Sequence, residues 1–442
     1  FGSDSLNFYE YRQPIHTGGD LLNDMDIVFS ELTSVKAIRD SVNKLYTQPV
    51  RGGPPGATYG IRGNPSLRQI REISIGVENP AAQGGTRPLV GQVWVNELRL
   101  TDVNNAKGYA YHFDTQVKLA DLGGVSFSYA KTDPNFHALD QTFGSHNTTI
   151  NWGVNSNVSL DKFFPADWAG TSVPLAYSHT EGLLKPKYLP SSDVVVTSAA
   201  DRAGGRAAPA DAVRAADSVV TGSQTLHVQD SYSVPNFRLA LPTQLWFIRD
   251  TFSKLSFAFN YSIARDRDPS ITVRRSWLWN FRVSYGVSLP ADYYIQPFKK
   301  IFSGIFMLDG FKDWKFYYVP VTSLSASVGA QRSRTYELGS DPGSLPRDTR
   351  NFSGGKSFGF GWKLTEGGLT GLAGDYGLSV DRNLLNLDND SSGRGFKHIL
   401  NDIFFAGEDS RYGQRVTVNS KPRIPDVFDL PKYASLNAGY TV

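Results

Sequence analysis

The chain has 442 residues, a formal net charge of +3, 13% aromatic residues, 42 glycines and no cysteine. The aromatic content excludes a disordered chain, and the missing cysteine excludes disulfides, thiol nucleophiles and cysteine-ligated metal sites. No run of about 18 apolar residues occurs and the mean hydropathy is −0.30, which excludes a helical membrane protein. The charge is small and scattered, which argues against nucleic acid as a partner.

Residues 1–105 are predicted to form a small soluble β-rich domain, sandwich-like, with one short helix. Leu32, Val35 and Ile38 start an apolar stripe that predicts this helix within residues 30–45. A glycine- and proline-rich run then breaks the pattern. Alternation of apolar and polar residues predicts two strands after the break, at residues 71–77 and 91–100.

Residues 106–442 follow a different pattern, in which large apolar and small polar residues alternate with a period of two. In residues 255–263 every odd position is large and apolar, and residues 277–289 repeat this pattern with one exception. About twelve such segments, each roughly 8–15 residues long, occur before the end of the chain. The pattern predicts an antiparallel sheet with one apolar face.

The composition of the polar positions favours a membrane barrel over a soluble sandwich. A soluble sheet exposes Lys, Glu, Thr and Arg, whereas these positions hold mainly Ser, Gly, Asn and Ala. A transmembrane barrel places large apolar side chains against lipid and tolerates small polar ones in its lumen. We therefore predict an all-β fold with antiparallel transmembrane barrel strands, and a β-sandwich with an aromatic core remains the alternative.

Two adjacent segments give the candidate site residues. The predicted lipid-facing residues are Leu255, Phe257, Phe259, Tyr261, Trp277, Trp279 and Phe281. The predicted lumen-facing residues are Ser256, Asn260, Asn280, Arg282 and Ser284.

The connections are uneven in length, as in outer-membrane barrels, where short turns alternate with long loops. Residues 199–218 are predicted to be solvated and partly helical. Residues 297–309 fit either an amphipathic helix at the membrane edge or a loop packed over the barrel rim.

Each candidate catalytic, cofactor or metal motif in the sequence lacks a residue or spacing that it requires. Gly355-Lys356-Ser357 ends like a phosphate loop, but Arg350 occupies the position that needs glycine, so a turn before a strand is the prediction. A calcium-like run begins at Asp388, but Ile399 stands where the closing glutamate is required. The seven histidines show no metal-ligand spacing. We expect no enzyme activity, no cofactor and no metal.

Specific words in the sequence resemble the SprA/Sov family, the large outer-membrane translocon of the type 9 secretion system. The most specific word is Trp94-Val95-Asn96-Glu97-Leu98-Arg99. Shorter words in the same order include Lys185-Pro186-Lys187-Tyr188, Arg265-Asp266-Arg267-Asp268-Pro269 and Pro297-Phe298-Lys299-Lys300. Together these words span most of the chain.

The resemblance implies a function. The family forms one very large barrel of about 36 strands, through which folded cargo with a C-terminal sorting domain leaves the cell. A PorV-type partner barrel covers a lateral opening, and a plug protein closes the periplasmic end. The family belongs to the outer membrane of Bacteroidota and relatives, and it is linked to gliding motility.

The resemblance also implies that this chain is an internal segment, because it holds about a third of such a barrel's strands. The remaining segments of the same barrel are then expected partners, together with outer-membrane lipid. Two other functions fit the pattern. One is a smaller porin or transporter of about 12–14 strands, and the other is a secreted β-sandwich that binds carbohydrate.

Overall fold

A computed structural model gives the fold of the chain. The residues that it describes are 1–67, 70–79, 90–101, 106–249, 251–301, 312–368, 370–388, 401, 404–405, 407–422 and 436–441. The described residues are mostly antiparallel β-sheet. None of the helices among them is both long enough and apolar enough to cross a membrane.

The first sheet has four antiparallel strands in the order β1-β2-β4-β3. The strands are β1 (Gly2–Asp4), β2 (Asn7–Arg12), β3 (Tyr46–Pro49) and β4 (Thr58–Arg62). Helix α1 (Phe29–Ser34) packs against this sheet. The shared core holds Tyr9, Leu32, Val35, Tyr59 and Ile61, each at most 3% exposed.

The predicted helix is present but shorter than the apolar stripe suggested. It continues beyond Ser34 only as a 3-10 turn over Val35–Ala37. Val42, which extends the stripe, is 47% exposed, and its carbonyl accepts a hydrogen bond from the Gly63 amide at 2.9 Å. This bond holds Val42 beside the residue that follows β4, outside the helix.

The strands predicted at 71–77 and 91–100 are wrong. Within these residues, only Glu72 forms a β-bridge, to Gly2, and the others lie outside named strands. Alternation describes which way side chains point, but a strand also needs a neighbouring backbone to bond. Apart from the single bridge of Glu72 to Gly2, residues 71–77 and 91–100 form no ladder with a strand in the described part of the chain.

The second sheet is much larger, and twelve of its strands form one antiparallel meander in the order β18-β17-β16-β15-β14-β11-β10-β9-β8-β7-β6-β5. The strands of its first half are β5 (Ala110–Leu119), β6 (Gly123–Thr132), β7 (Asn147–Ser159), β8 (Pro174–Pro186), β9 (Thr225–Phe237), β10 (Leu255–Asp268) and β11 (Ile271–Ser288). Those of its second half are β14 (Val321–Gly339), β15 (Arg347–Glu366), β16 (Thr370–Asn383), β17 (Glu408–Pro422) and β18 (Leu436–Thr441). Two short strands, β12 (Tyr294–Ile295) and β13 (Lys315–Tyr317), attach beside β15.

The described connections of this sheet include three further α-helices. Helices α2 (Val196–Arg206) and α3 (Ala212–Ser223) fill the connection between β8 and β9, and α4 (Trp246–Arg249) precedes β10. The helical prediction for residues 199–218 is therefore confirmed. Most of the segment predicted at 297–309 lies outside the described residues, as does most of the calcium-like run after Asp388.

The sheet is not closed. In the described part of the chain, β5 pairs only with β6 and β18 pairs only with β17. All ten residues of β5 are exposed, consistent with a free edge. The large antiparallel sheet of the prediction is present, whereas a closed barrel is not formed by these residues.

Candidate functional site: the two faces of the large sheet

The predicted lipid-facing residues share one face of the sheet, here called the apolar face. In the register of β10 and β11, Phe259 pairs with Phe281 and Tyr261 pairs with Trp279. Paired residues of antiparallel strands point to the same side, so the two strands present their large side chains together. The other members of the set, Leu255, Phe257 and Trp277, follow at alternate positions and complete the group.

The apolar face has the height of a membrane core along β11. Its residues there run from Trp277 to Val287, over ten residue steps. At about 3.3 Å per residue this is roughly 33 Å along the strand. A strand tilted by about 40° would project this length onto roughly 25 Å, the height of the apolar band of outer-membrane barrels.

Phe281 is packed against protein, unlike the residues near the ends of the apolar face. It is 5% exposed in a cluster with Ala330, Phe352 and Leu384, whereas Leu255 is 36% exposed. The Leu384 amide donates to the Phe352 carbonyl at 2.9 Å, which holds the chain beyond β16 beside this cluster. Phe281 is therefore a poorer probe of the apolar face than its neighbour Trp279.

The predicted lumen-facing residues share the opposite face, here called the polar face. Ser256 pairs with Ser284, and their hydroxyl oxygens are 2.7 Å apart. Asn260 pairs with Asn280 on the same face. Arg282 lies opposite Ala258. All five predicted residues are thus together, and each faces away from the aromatic side chains.

A row of serines crosses the polar face, which the sequence alone did not reveal. The register aligns one serine from each of five successive strands, namely Ser256, Ser284, Ser327, Ser357 and Ser379. The hydroxyl oxygens of Ser327 and Ser357 are 2.8 Å apart. Each serine is visible in the sequence of its own strand, but their alignment across five strands follows only from the pairing register.

Beside this row the polar face forms an open groove of about 470 Å³. Glycines form its floor because they leave room above the backbone. A Cβ atom on Gly361 would approach the Ser323 hydroxyl to 2.6 Å. The residues that line the groove on this face include Ser325, Gly359, Asp375, Gly377, Gly413 and Arg415.

The motif Gly355-Lys356-Ser357 lies in the middle of β15, so the predicted turn is wrong. Gly355 pairs with Gly329 of β14 and with Asp381 of β16. Lys356 lies on the apolar face and Ser357 on the polar face, as alternation requires. A backbone bonded on both sides cannot wrap around a phosphate as a loop does.

The motif that begins at Trp94 lies in an exposed segment outside helices and strands. Trp94 is 87% exposed, Val95 57% and Leu98 65%. The Glu97 and Arg99 side chains form an ion pair at 2.7 Å, and Asn96 is exposed between the two halves of the word. None of the six residues belongs to a strand of either sheet.

A buried polar cluster joins the first sheet to the large one. Asp193, in the connection between β8 and β9, accepts hydrogen bonds from the Tyr9 hydroxyl at 2.9 Å and the Leu67 amide at 2.9 Å. The Lys36 ammonium lies 3.1 Å from the same carboxylate, and both side chains are at most 7% exposed. The cluster combines four positions that are far apart in the sequence, so no local sequence pattern predicts it.

The pKa of Tyr9 is raised above its ordinary value of 10.0 by burial and, secondarily, by the negative charge of Asp193. The phenol therefore remains a hydrogen-bond donor over the physiological range. In the same region, Arg202 of α2 donates to the Ser34 carbonyl at 2.5 Å. These contacts fix the first sheet against the connection that contains α2.

The described residues contain no group of three or more His, Cys, Asp or Glu side chains that could hold a metal ion.

A family described as motility related/secretion protein matches residues 22–199 of the chain. The match runs from the first sheet through β5–β8 into α2, so it includes Lys36, Leu67 and Asp193 of the joining cluster. No curated protein matches the chain.

Proposed function

Because the chain belongs, through residues 22–199, to the SprA family of motility- and secretion-related proteins, we propose that it forms part of the outer-membrane translocon of the type 9 secretion system. The large sheet would be a wall segment of the protein-conducting barrel. The observation that supports this role is the separation of an apolar face from a polar face across an antiparallel meander of twelve strands.

The two faces suit the two sides of a wide channel. The apolar face would contact lipid through side chains such as Phe257 and Trp279. The polar face offers hydroxyls, amides and glycines, as in the serine row and the groove beside it. Such a surface gives a passing folded protein few apolar side chains to adhere to. Conduction would be passive, with the driving energy supplied elsewhere.

This role implies several partners. Cargo with a C-terminal sorting domain would pass along the polar face, and the remaining segments of the barrel would continue the sheet at β5 and β18. A PorV-type partner barrel and a plug protein would control the lateral and periplasmic openings. None of these partners requires a catalytic step from this chain, so we propose no enzyme activity.

Reconstitution tests the proposed function. We expect the purified full-length protein to need detergent, and to give wide and weakly selective conductance when inserted into phosphatidylcholine bilayers. A deletion strain of the source bacterium, which lacks this protein, should retain cargo with the sorting domain in the periplasm. A protein that is monodisperse without detergent would contradict a membrane role. A narrow, selective pore would instead support the smaller porin or transporter.

A further inference from the structure

A line of basic residues marks one boundary of the apolar face. On seven strands, a Lys or Arg follows directly after an apolar residue of the apolar face, near the same end of each strand. These residues, here called the basic belt, are Lys131, Lys185, Arg265, Arg275, Arg332, Arg350 and Arg382. Their inner neighbours on the same face include Tyr129, Ile263, Trp277, Phe352 and Val380.

The basic belt runs obliquely across the strands, at the angle that the plane of a membrane would make with the tilted strands of a barrel. Paired residues connect Lys131 on β6 with Arg267 on β10, and Arg265 with Asp348 on β15. The net displacement from Lys131 on β6 to Arg382 on β16 is eight residues over eight strand-to-strand steps, although single members of the belt lie up to a few residues on either side of this line. One residue per step, about 3.3 Å against a strand spacing of about 4.8 Å, corresponds to a tilt of roughly 35°. A membrane surface cuts the tilted strands of a barrel at such an angle.

The belt adjoins aromatic side chains, as expected at a membrane interface. The Arg332 guanidinium lies 5.3 Å from the Trp277 ring centre and 5.9 Å from that of Phe352. The Lys131 ammonium lies 6.0 Å from the ring centre of Tyr111. Lys and Arg stems at this depth can cover apolar surface while their charged ends reach the headgroups.

Acidic residues neutralise only part of this charge. Asp348 contacts both Arg334 and Arg350 at 2.9 Å, Asp409 contacts Arg382 at 2.6 Å, and Asp388 pairs with Arg332. Glu181 and Asp230 also lie on this face, within β8 and β9. Arg267 and Arg334 add to the seven basic residues of the belt, so basic side chains exceed acidic ones along the boundary.

Two buried donors of this region lack acceptors. The Nε atoms of Arg267 and Arg332 are buried and have no hydrogen-bond partner in the described structure. Those two atoms are enclosed by protein, so a headgroup would meet the exposed guanidinium groups of the belt, such as those of Arg265 and Arg275. The oxygens of a phosphate match the fork of guanidinium donors.

The opposite boundary of the apolar face has a different composition. Its last strand residues are uncharged, including Leu175, Leu255, Val287 and Leu372. The two boundaries would therefore meet leaflets of different charge.

We propose that the basic belt binds the phosphate groups of phosphorylated lipids in the leaflet at the α2–α3 end of the strands. This proposal rests on the proposed membrane function, and it adds a lipid class and an orientation. The bound headgroups would anchor the wall at a fixed depth, with the aromatic residues just inside them.

The test uses the full-length protein in vesicles of phosphatidylcholine mixed with phosphatidic acid. Brominated phosphatidic acid and brominated phosphatidylcholine are compared as quenchers of the fluorescence of Trp277 and its neighbours. We expect wild type to prefer the phosphatidic acid, and R265Q/R275Q to lose about fivefold of this preference per residue replaced. The control R282Q/R415Q removes two charges from the polar face and should keep the preference.

The outcomes separate this proposal from the proposed function. Insertion and conductance without any preference for phosphatidic acid would overturn the belt proposal alone. An equal loss of preference in R282Q/R415Q would also overturn it. Failure of wild type to insert would overturn the membrane function first. If R265Q/R275Q does not insert, a salt titration of wild type decides, because the preference must weaken as salt screens the phosphates.

Discussion

The Tyr9 hydroxyl donates to the Asp193 carboxylate at 2.9 Å across 184 residues of sequence. Tyr9 belongs to the first sheet, whereas Asp193 belongs to a connection of the large sheet. Lys36 and the Leu67 amide complete the same buried site. One buried carboxylate thus collects three of the contacts between the first sheet and this connection, and the bond from Arg202 to Ser34 adds another.

Asp193→Asn should weaken this junction by about 3–5 kcal/mol, because it leaves the buried Lys36 ammonium without its countercharge. We expect faster hydrogen exchange at the Leu67 amide and an earlier urea transition of the first sheet. Asp211→Asn is the control, since that carboxylate is exposed and pairs with an exposed arginine. Equal behaviour of the two variants would mean that the Asp193 cluster does not hold the sheets together.

Alkaline pH should destabilise the first sheet. Burial raises the pKa of Tyr9, and it also raises the pKa values of Tyr11 and Tyr59. A group with a raised folded-state pKa contributes stability below its unfolded pKa and loses it as pH rises. The urea concentration at the unfolding midpoint should therefore decrease as the pH rises beyond about 10. Tyr9→Phe should reduce this slope, and an unchanged slope would exclude Tyr9 as a source.

Arginine at Trp279 should impair membrane assembly by about 2–4 kcal/mol, because Trp279 lies on the apolar face. Asn280→Arg is a matched control, since it places the same charge one residue away on the polar face. Heat-modifiable migration and surface labelling of the full-length protein measure assembly. Normal assembly of Trp279→Arg would mean that this face does not meet lipid.

Gly374→Ala should destabilise the pairing of β16 with β17. A Cβ atom at Gly374 would lie 2.2 Å from the Thr417 carbonyl oxygen and 2.5 Å from the Trp362 ring. Overpacking of this kind costs about 1–3 kcal/mol. Gly377→Ala on the same strand meets no atom within 4 Å and should change stability by less than about 0.5 kcal/mol. Comparable urea midpoints for the two variants would contradict the packing given for Gly374.

Alternation predicted the strands of the large sheet and the separation of large apolar from small polar side chains, because the side-chain period of a strand is a local property. The register is not local, so the serine row from Ser256 to Ser379 and the basic belt could not be derived from single segments. Near residues 71–77 and 91–100 the same alternation misled, because it does not report whether a partner strand exists. The Asp193 cluster was missed for a related reason, since each of its members looks ordinary in sequence.

The joining cluster also determines what holds the protein together after backbone cleavage. The exposed segment at 90–101 connects the two sheets along the chain, but the contacts of Asp193 and Arg202 bypass it. A protease cut at that segment should therefore leave two fragments that elute as one particle, and Asp193→Asn should release them. The covalent link then supplies proximity during folding, while the buried carboxylate maintains the assembly afterwards.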